Sequence, residues 1–399
     1  MASFKKEFLQ HGEFECSKEL LERARERCIK VIKNNFISGA FLAGPKIHRD
    51  WWATDNLSAS LALVDLGFSK QVASVIDFFL RYQNEDGQIP LRVESSSHSL
   101  RFFGINKKHL QLKPIYLSSQ PFFPAKPLGF NAFLVIIADL VARQLGFAWI
   151  KTRFPKIKKA FSFIQKRSRE GLIPSGRLAD WDDNVPFKSG YTLFTNVLYS
   201  RAVLAMANLF LLAGEKDRAE EMKVLAHQVA SQIQDKFWHA DYYIDWLSGK
   251  KKPFSHFDTF SNLLAILLGI ADTKQANKIE KFIIDHKIDQ PPCLQKFPSL
   301  PFLHNIINEL LGFTYKIRRC CWPWLGGFDI AVKVKTGFLR EAKKELIELA
   351  LIFDKLGPIE TINLEKEPIN GFFSHSERDF TLSAASFLYA HQAVFPQES

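Results

Sequence analysis

Apolar residues recur at helical spacing in segment after segment of this 399-residue chain. No stretch of alternating apolar and polar residues of comparable length interrupts them. The periodicity predicts twelve helices, near 17–35, 54–66, 69–83, 129–146, 154–168, 191–213, 215–237, 258–271, 273–286, 302–312, 337–356 and 379–392. Stop signals stand where such helices need them: Gly67 follows the second and Gly214 the sixth. So many helices in one chain must bury their apolar faces against one another. No fixed repeat of the solenoid kind is visible, which leaves a closed double ring of helical hairpins, an all-α toroid. Hydrophobic residues make up 47% of the chain, ample for one large core. No low-complexity linker divides it, so residues 1–399 read as a single domain.

A ring of hairpins leaves one end where loops converge, and function belongs there. Segment 84–128, punctuated by Pro90, Pro114, Pro121, Pro124 and Pro127, is too long for a plain connection and reads as a lid over that mouth. Segment 286–301 carries Pro291, Pro292, Pro298 and Pro301, and Trp322-Pro323-Trp324-Leu325-Gly326-Gly327 reads as a rigid aromatic loop. The net charge of +11, with a pI near 9.3, permits acidic partners without requiring them. Its basic runs, around 156–159, 166–169 and 250–252, are scattered and accompany no nucleic-acid module, so no nucleic-acid partner is expected. Cys16, Cys28, Cys293, Cys320 and Cys321 show no CxxC spacing, which fits reduced, mostly buried thiols. The segment Met1–Phe8 has no apolar core of signal-peptide length, and no uninterrupted apolar run reaches about 18 residues, the span of a membrane helix. A cytoplasmic protein without a membrane anchor is the expectation.

The chemistry concentrates in residues 178–201. Asp180, Asp182 and Asp183 crowd around Trp181 ahead of a long apolar helix. Like charges repel and the indole removes water, and both effects raise a carboxylic acid's pKa toward a value suited to donating a proton at neutral pH. The competing reading is an N-cap cluster. Glycoside hydrolysis needs two carboxyl groups, one to protonate the leaving oxygen and one to attack the sugar or activate a water. Asp182 is the natural acid. Glu360 is the natural base, because Gly357-Pro358 fixes a turn before it and Thr361 and Asn363 stand ready to hold it ionised. The alternative for Glu360 is an exposed loop carboxylate. Arg49 and Asp50 could bind sugar hydroxyls or form a buried ion pair bracing the first hairpin. Trp51, Trp52, Trp322 and Trp324 could stack on sugar faces or serve the core, and Gln88 could face the cleft or belong to the Asp86-Gly87 turn. Asp258 reads as a helix N-cap. GxGxxG, GxxxxGK[ST], HExxH and GxSxG are all missing, and a lone His239 near Asp241 is a poor metal site, so neither cofactor nor metal is expected.

Taken in order, these motifs resemble the (α/α)6-barrel inverting glycoside hydrolases. The likeness is to the amylo-α-1,6-glucosidase domain of glycogen-debranching-type enzymes and to the processing α-glucosidase I family with its small glucosylglycerate or mannosylglycerate hydrolases. It runs from Arg49 to Ala390. It is carried by Arg49-Asp50, Glu85 to Pro90, Trp181-Asp182, Thr192 to Tyr199, Phe257-Asp258 with Ser261-Asn262, Trp322-Pro323-Trp324, Glu360, and Asp379 to Ala385. The resemblance implies Asp182 as general acid, Glu360 as general base, inversion at the anomeric carbon, and a small glycoside or oligosaccharide as partner. Thr361 and Ile362 stand where relatives often place an aromatic after the base, and Asp379-Phe380-Thr381 departs from their last helix. The large β-sandwich that precedes many relatives' barrels has no counterpart here, which points toward a small glycoside. Asp180 or Asp183 remains an alternative acid. Two other classes stay open: a sugar isomerase or epimerase using His48, His256, His304 or His375 on the same ring, and a non-catalytic carbohydrate-binding barrel.

Overall fold

The computed structural model describes residues 2–101, 104–118, 124–182, 185, 188–298, 320–371 and 374–396. Twelve longer helices lie among them: α1 (Ala2–Asn35), α2 (Ala53–Leu63), α3 (Ser69–Arg81), α4 (Leu128–Leu145), α5 (Phe154–Gln165), α6 (Leu193–Leu212), α7 (Lys216–Phe237), α8 (Thr259–Leu267), α9 (Thr273–Asp285), α10 (Pro323–Thr336), α11 (Leu339–Leu356) and α12 (Thr381–Val394). The even-numbered helices form an inner ring in which each packs on the next and α12 closes back on α2. The odd-numbered helices lie outside: α3, α5, α7, α9 and α11 each pack against an inner helix beside them in sequence, and α1 packs against α12 and α11. The architecture is the (α/α)6 barrel.

Sequence decides which helix goes where. Outer helices such as α3, α9 and α11 are amphipathic, with buried residues on one stripe. Inner helices are enclosed on all sides and read apolar all round. Thus α4 and α6 are long and apolar enough to cross a membrane by length and composition, yet most of each is buried in the ring. One polar position recurs from helix to helix. The fourth residue is asparagine in α2, α4, α6 and α8: Asn56, Asn131, Asn196 and Asn262. Each is buried and ties itself to the segment leaving the preceding outer helix. Asn56 accepts from the Phe41 amide at 2.8 Å and donates to its carbonyl at 2.7 Å. Asn196 does the same to Ile173 and Asn262 to Tyr243, while Asn131 accepts from Ile89 and donates to Gly87. These bonds satisfy backbone groups that the ring buries.

The equivalent position in α10 is Gly326. A Cβ there would stand 2.4 Å from the Cβ of Pro292, and one at Gly327 would stand 2.5 Å from the backbone of Ser386 on α12. The two glycines let helix and backbone close up, and they hid this helix: the sequence reading takes 322–327 as a loop, whereas Pro323 opens α10 at its first turn. The other expected helices are present, except that 302–312 lies outside the described residues.

Short strands modify the all-α expectation, among them β1 (Phe36–Ile37) paired to β2 (Ala40–Phe41), and β7 (Trp238–His239). Segment 84–128 holds a ribbon, β4 (Arg92–Ser96) with β5 (Lys108–Ile115), paired to β3 (Trp51–Trp52), so its described part is anchored sheet as well as covering loop. Residues 102–103 and 119–123 of it are not described. The turn at Gly87 has φ 101°, as expected. A second sheet joins β6 (Tyr191–Thr192), β8 (Tyr242–Leu247), β9 (Pro253–Asp258) and β10 (Lys296–Phe297). Cys28, Cys293, Cys320 and Cys321 are buried, and no disulfide links the described residues; the Cys16 side chain lies outside them.

Candidate active site

The segments entering the inner helices converge on one pocket at the mouth of the ring. Its cavity volume is about 110 Å³, well above the roughly 10–15 Å³ one water needs. Five of the six hairpins contribute to the lining, all but the one that leads into α8. His48 comes from the loop before α2, and Trp52, Thr54 and Asp55 from its start. Leu91 and Ser118 come from the ribbon, and Asp180, Trp181 and Asp182 from the loop before α6. Gln295, Trp322 and Trp324 precede or open α10, and Glu360, Phe380 and Leu382 precede or open α12.

Asp182 and Glu360 therefore face the same cavity, and both are buried. Glu360 sits on an extended stretch braced by bridges from Ile359 to Arg378 and from Cys321 to Ile362. Its Oε2 accepts from the Glu377 amide at 3.2 Å and lies 3.4 Å from His48 Nε2. Thr361 and Asn363 do not take the role expected of them: Thr361 Oγ1 meets Ser376 Oγ, and Asn363 accepts from the Glu367 amide. The Glu377 carboxylate accepts from the amides of Lys46, Ile47 and His48, which fixes the His48 loop.

Asp182 belongs to a buried ionic cluster. Lys188 Nζ lies 3.0 Å from Asp182, 2.9 Å from Asp180 and 2.7 Å from Asp245. Lys296 Nζ lies 2.7 Å from Asp182 and 2.8 Å from Asp258, and also pairs with Asp245. Burial pushes the Asp182 carboxyl up to about 7, against the pull of the two ammonium groups, and pushes Asp180 upward too. Asp258 is held below the usual carboxylate range: burial works to raise it, but Lys296, Lys188 and the Ser261 hydrogen bonds outweigh that. Neither Asp180 nor Asp182 is a helix N-cap. Thr192 caps α6, and Asp258 caps α8 while also accepting from Trp181 Nε1 at 3.1 Å. Asp183 lies outside the described residues.

The aromatic residues divide by strand alternation. Trp51 points into the core against Phe78 and donates to the Ile37 carbonyl, whereas Trp52 faces the pocket beneath Arg92. Of the two tryptophans offered for the site, Trp52 lines it, and the expectation for Trp51 is corrected to a core position. Trp181 and Trp324 meet edge to face at 5.5 Å, each also against Phe260, and Trp322 flanks Trp324. The buried Nε1 donors of Trp52 and Trp322 meet no acceptor among the described residues, so a hydroxylated ligand would satisfy them.

Arg49 and Asp50 do not act as a pair. Arg49 is exposed and lines a separate outer depression, while Asp50 is fully buried and held by Arg101 and by His98 Nδ1 at 3.1 Å. The ion pair is real, but its cation is Arg101. Burial holds His98 down to about 4. Gln88 belongs to its turn, donating to the Tyr116 carbonyl at 2.6 Å. Of the candidate histidines only His48 lines the pocket; His256 stacks on Trp246, His375 is exposed, and His304 lies outside the described residues. Sequence reasoning missed Thr54, Asp55, Gln295, Lys188 and Lys296. An acid in the first turn of an inner helix was the available signal for Asp55, and Lys188 stands in the 178–201 stretch six residues after Asp182, whereas nothing local marks Lys296. Two groups of acids converge closely enough to hold a metal ion, but an ammonium already sits in each: Lys296 among Asp182, Asp245 and Asp258, and Lys333 beside Asp329 and Glu345.

The comparisons agree with this fold. The bacterial α-L-rhamnosidase six-hairpin glycosidase domain matches residues 126–290. A GH63 mannosylglycerate hydrolase from Thermus thermophilus, solved with glucose, superposes with a TM-score of 0.65 at 13% identity, covering 92% of this chain and 99% of that one. A rhamnosidase from Klebsiella oxytoca with rhamnose bound gives 0.65 at 13% identity, covering 94% and 64%. A bacterial glucoamylase complexed with acarbose gives 0.62 at 15%, covering 89% and 52%. No curated protein matches by sequence. The fold is that of the six-hairpin glycosidases.

Proposed function

We propose that this protein is an inverting glycoside hydrolase that cleaves an α-glycosidic bond, α-glucosidic in the first instance, with Asp182 as general acid and Glu360 as general base. The observation that carries this reading is the meeting of two buried carboxyls, from the hairpins of α6 and α12, across one pocket walled by Trp52, Trp181, Trp322 and Trp324. Asp182, protonated near neutral pH, donates to the leaving oxygen. Glu360, fixed by the Glu377 amide and His48, takes a proton from a water that attacks the opposite face of the sugar ring. Inverting enzymes hold the two carboxyls about 6.5–9.5 Å apart to admit that water. The indoles stack on the sugar, and Thr54 and Asp55 receive its hydroxyls. The names of the structural relatives, a mannosylglycerate hydrolase among them, support a small glycoside as substrate, and the sequence likeness to amylo-α-1,6-glucosidase supports glucose as the sugar released.

The test is sugar release from maltose, isomaltose, sucrose, trehalose, glucosylglycerate and the corresponding α-mannosides, with proton NMR of the first anomer formed. Initial β-anomer, lost by at least about 100-fold in Asp182→Asn and in Glu360→Gln, is the expected result. Turnover that survives both substitutions would refute the assignment. Binding of these sugars, seen as a thermal shift without turnover, would favour a carbohydrate-binding barrel.

A further inference from the structure

We propose that Lys188 and Lys296 are positioning residues that set the titration of Asp182, drawing its proton off while Asp180, Asp245 and Asp258 hold it on, within the closed cluster beneath the pocket. The inference rests on the assignment of Asp182 as the acid. Four aspartates, Asp180, Asp182, Asp245 and Asp258, face the two ammonium groups, and all six side chains are at least nine-tenths buried. They come from separate elements: the loop before α6, β8, the cap of α8, and β10. Fully ionised, the cluster would carry two uncompensated negative charges, and each buried unpaired ion costs several kcal/mol. The cluster therefore holds protons. Asp258 accepts from Lys296, the Ser261 amide and hydroxyl, and Trp181 Nε1, so it is a carboxylate. Asp245 and Asp182 each meet both lysines, and Asp180 meets Lys188. Two negative charges balance the two lysines, and Asp180 and Asp182 are the pair that also lines the pocket, where a proton can be exchanged. Across the cavity the facing titratable groups are Glu360 and His48.

Charge substitutions then move the Asp182 titration in opposite directions. Lys296→Met removes a positive charge and raises it. Asp245→Asn removes a negative charge and lowers it. Lys296→Arg keeps the charge and leaves it in place. Each displacement is expected to be at least about one pH unit.

Two readouts separate this inference from its parent. The first is the infrared C=O stretch of a protonated carboxyl, assigned by its loss in Asp182→Asn and followed from pH 5 to pH 9; it needs no substrate. The second is the alkaline limb of kcat/KM on whichever glycoside is hydrolysed, which reports the acid of the free enzyme. Opposite displacements of the infrared midpoint, matched by the limb, are the expected result. An unmoved midpoint in folded Lys296→Met and Asp245→Asn protein, with only the rate altered, overturns the role of the lysines while leaving Asp182 as the acid. A moving midpoint in a protein that hydrolyses none of the glycosides upholds the cluster and overturns the parent reading. Should Lys296→Met fail to fold, Lys188→Met and Asp245→Asn give the same pair of opposite signs.

Discussion

Replacing Lys333 by methionine should unfold this protein in a way that depends on pH. Lys333 Nζ, on α10, lies 2.7 Å from Asp289, 2.6 Å from Asp329, 2.5 Å from Glu345 and 3.8 Å from Glu280. The lysine and all four acids are buried, far from solvent that could screen them. Burial raises the Glu280, Glu345 and Asp289 carboxyls above their ordinary range, Asp329 adds to this, and Lys333 opposes it. A carboxyl whose folded pKa is raised contributes stability that is complete below its unfolded value of about 4 and is lost as pH rises toward the folded value. Methionine keeps the side chain up to the Cε position and removes the charged nitrogen. Removing one partner of a buried pair costs about 3–5 kcal/mol. The folded variant can bind one further proton in place of the ammonium, which changes the cost by about 1.4 kcal/mol per pH unit. The penalty should thus be roughly 3–5 kcal/mol at pH 7 and on the order of 1–2 kcal/mol at pH 5. Urea unfolding of both proteins at the two pH values, with midpoint and slope fitted separately, measures it. A loss under about 1 kcal/mol at pH 7, or an equal loss at both, would show that Lys333 does not neutralise this cluster.

Three substitutions test the packing of the ring. Trp51→Ala should cost about 3–5 kcal/mol in denaturant unfolding, because Trp51 fills the core against Phe78. Trp52→Ala should spare stability by comparison and raise KM for a hydrolysed glycoside about tenfold, the worth of one lost stacking contact of about 1.4 kcal/mol; equal effects from the two tryptophans would contradict the alternation. Gly326→Ala would drive its methyl into Pro292, 2.4 Å away. Calorimetry should show a lower Tm, reflecting about 1–3 kcal/mol of overpacking, and an unchanged Tm would mean that the α10 contact yields freely.

How far the fold could be read beforehand follows from what each helix must satisfy. Periodicity exposed the outer helices and the buried inner ones alike, because both must match a 3.6-residue turn. It failed at α10, where Pro323, Gly326 and Gly327 argue against a helix locally. Each glycine costs about 1 kcal/mol in helix propensity, and close packing against Pro292 and Ser386 overrides that. The ribbon in 84–128 was hidden by its prolines and by an edge strand, β5, whose exposed residues show no clean alternation. The ring's internal repeat was present in the sequence as Asn56, Asn131, Asn196 and Asn262. Hairpins of unequal length spread it beyond any fixed period, and only the shared bond to the segment leaving the outer helix makes it a repeat.

The site was legible to the extent that its chemistry is local. Asp182 and Trp181 adjoin in sequence, and Gly357-Pro358 announces the turn before Glu360. What decides the state of Asp182 is not local. Asp245 lies 63 positions further along the chain and Lys296 lies 114. Strands β6, β8, β9 and β10 bring them together only because that small sheet lies across the mouth beside α6 and α8. Three aspartates in a row of four near an indole are, by themselves, too much acid for one site. Lys188 in the same loop and Lys296 from β10 offset part of that excess, and in the proposed mechanism the imbalance that remains favours a proton on Asp182. An active site of this kind is therefore specified by a charge sum over several hairpins. Neutralising Asp245 should consequently alter the chemistry at Asp182 without any direct contact with substrate.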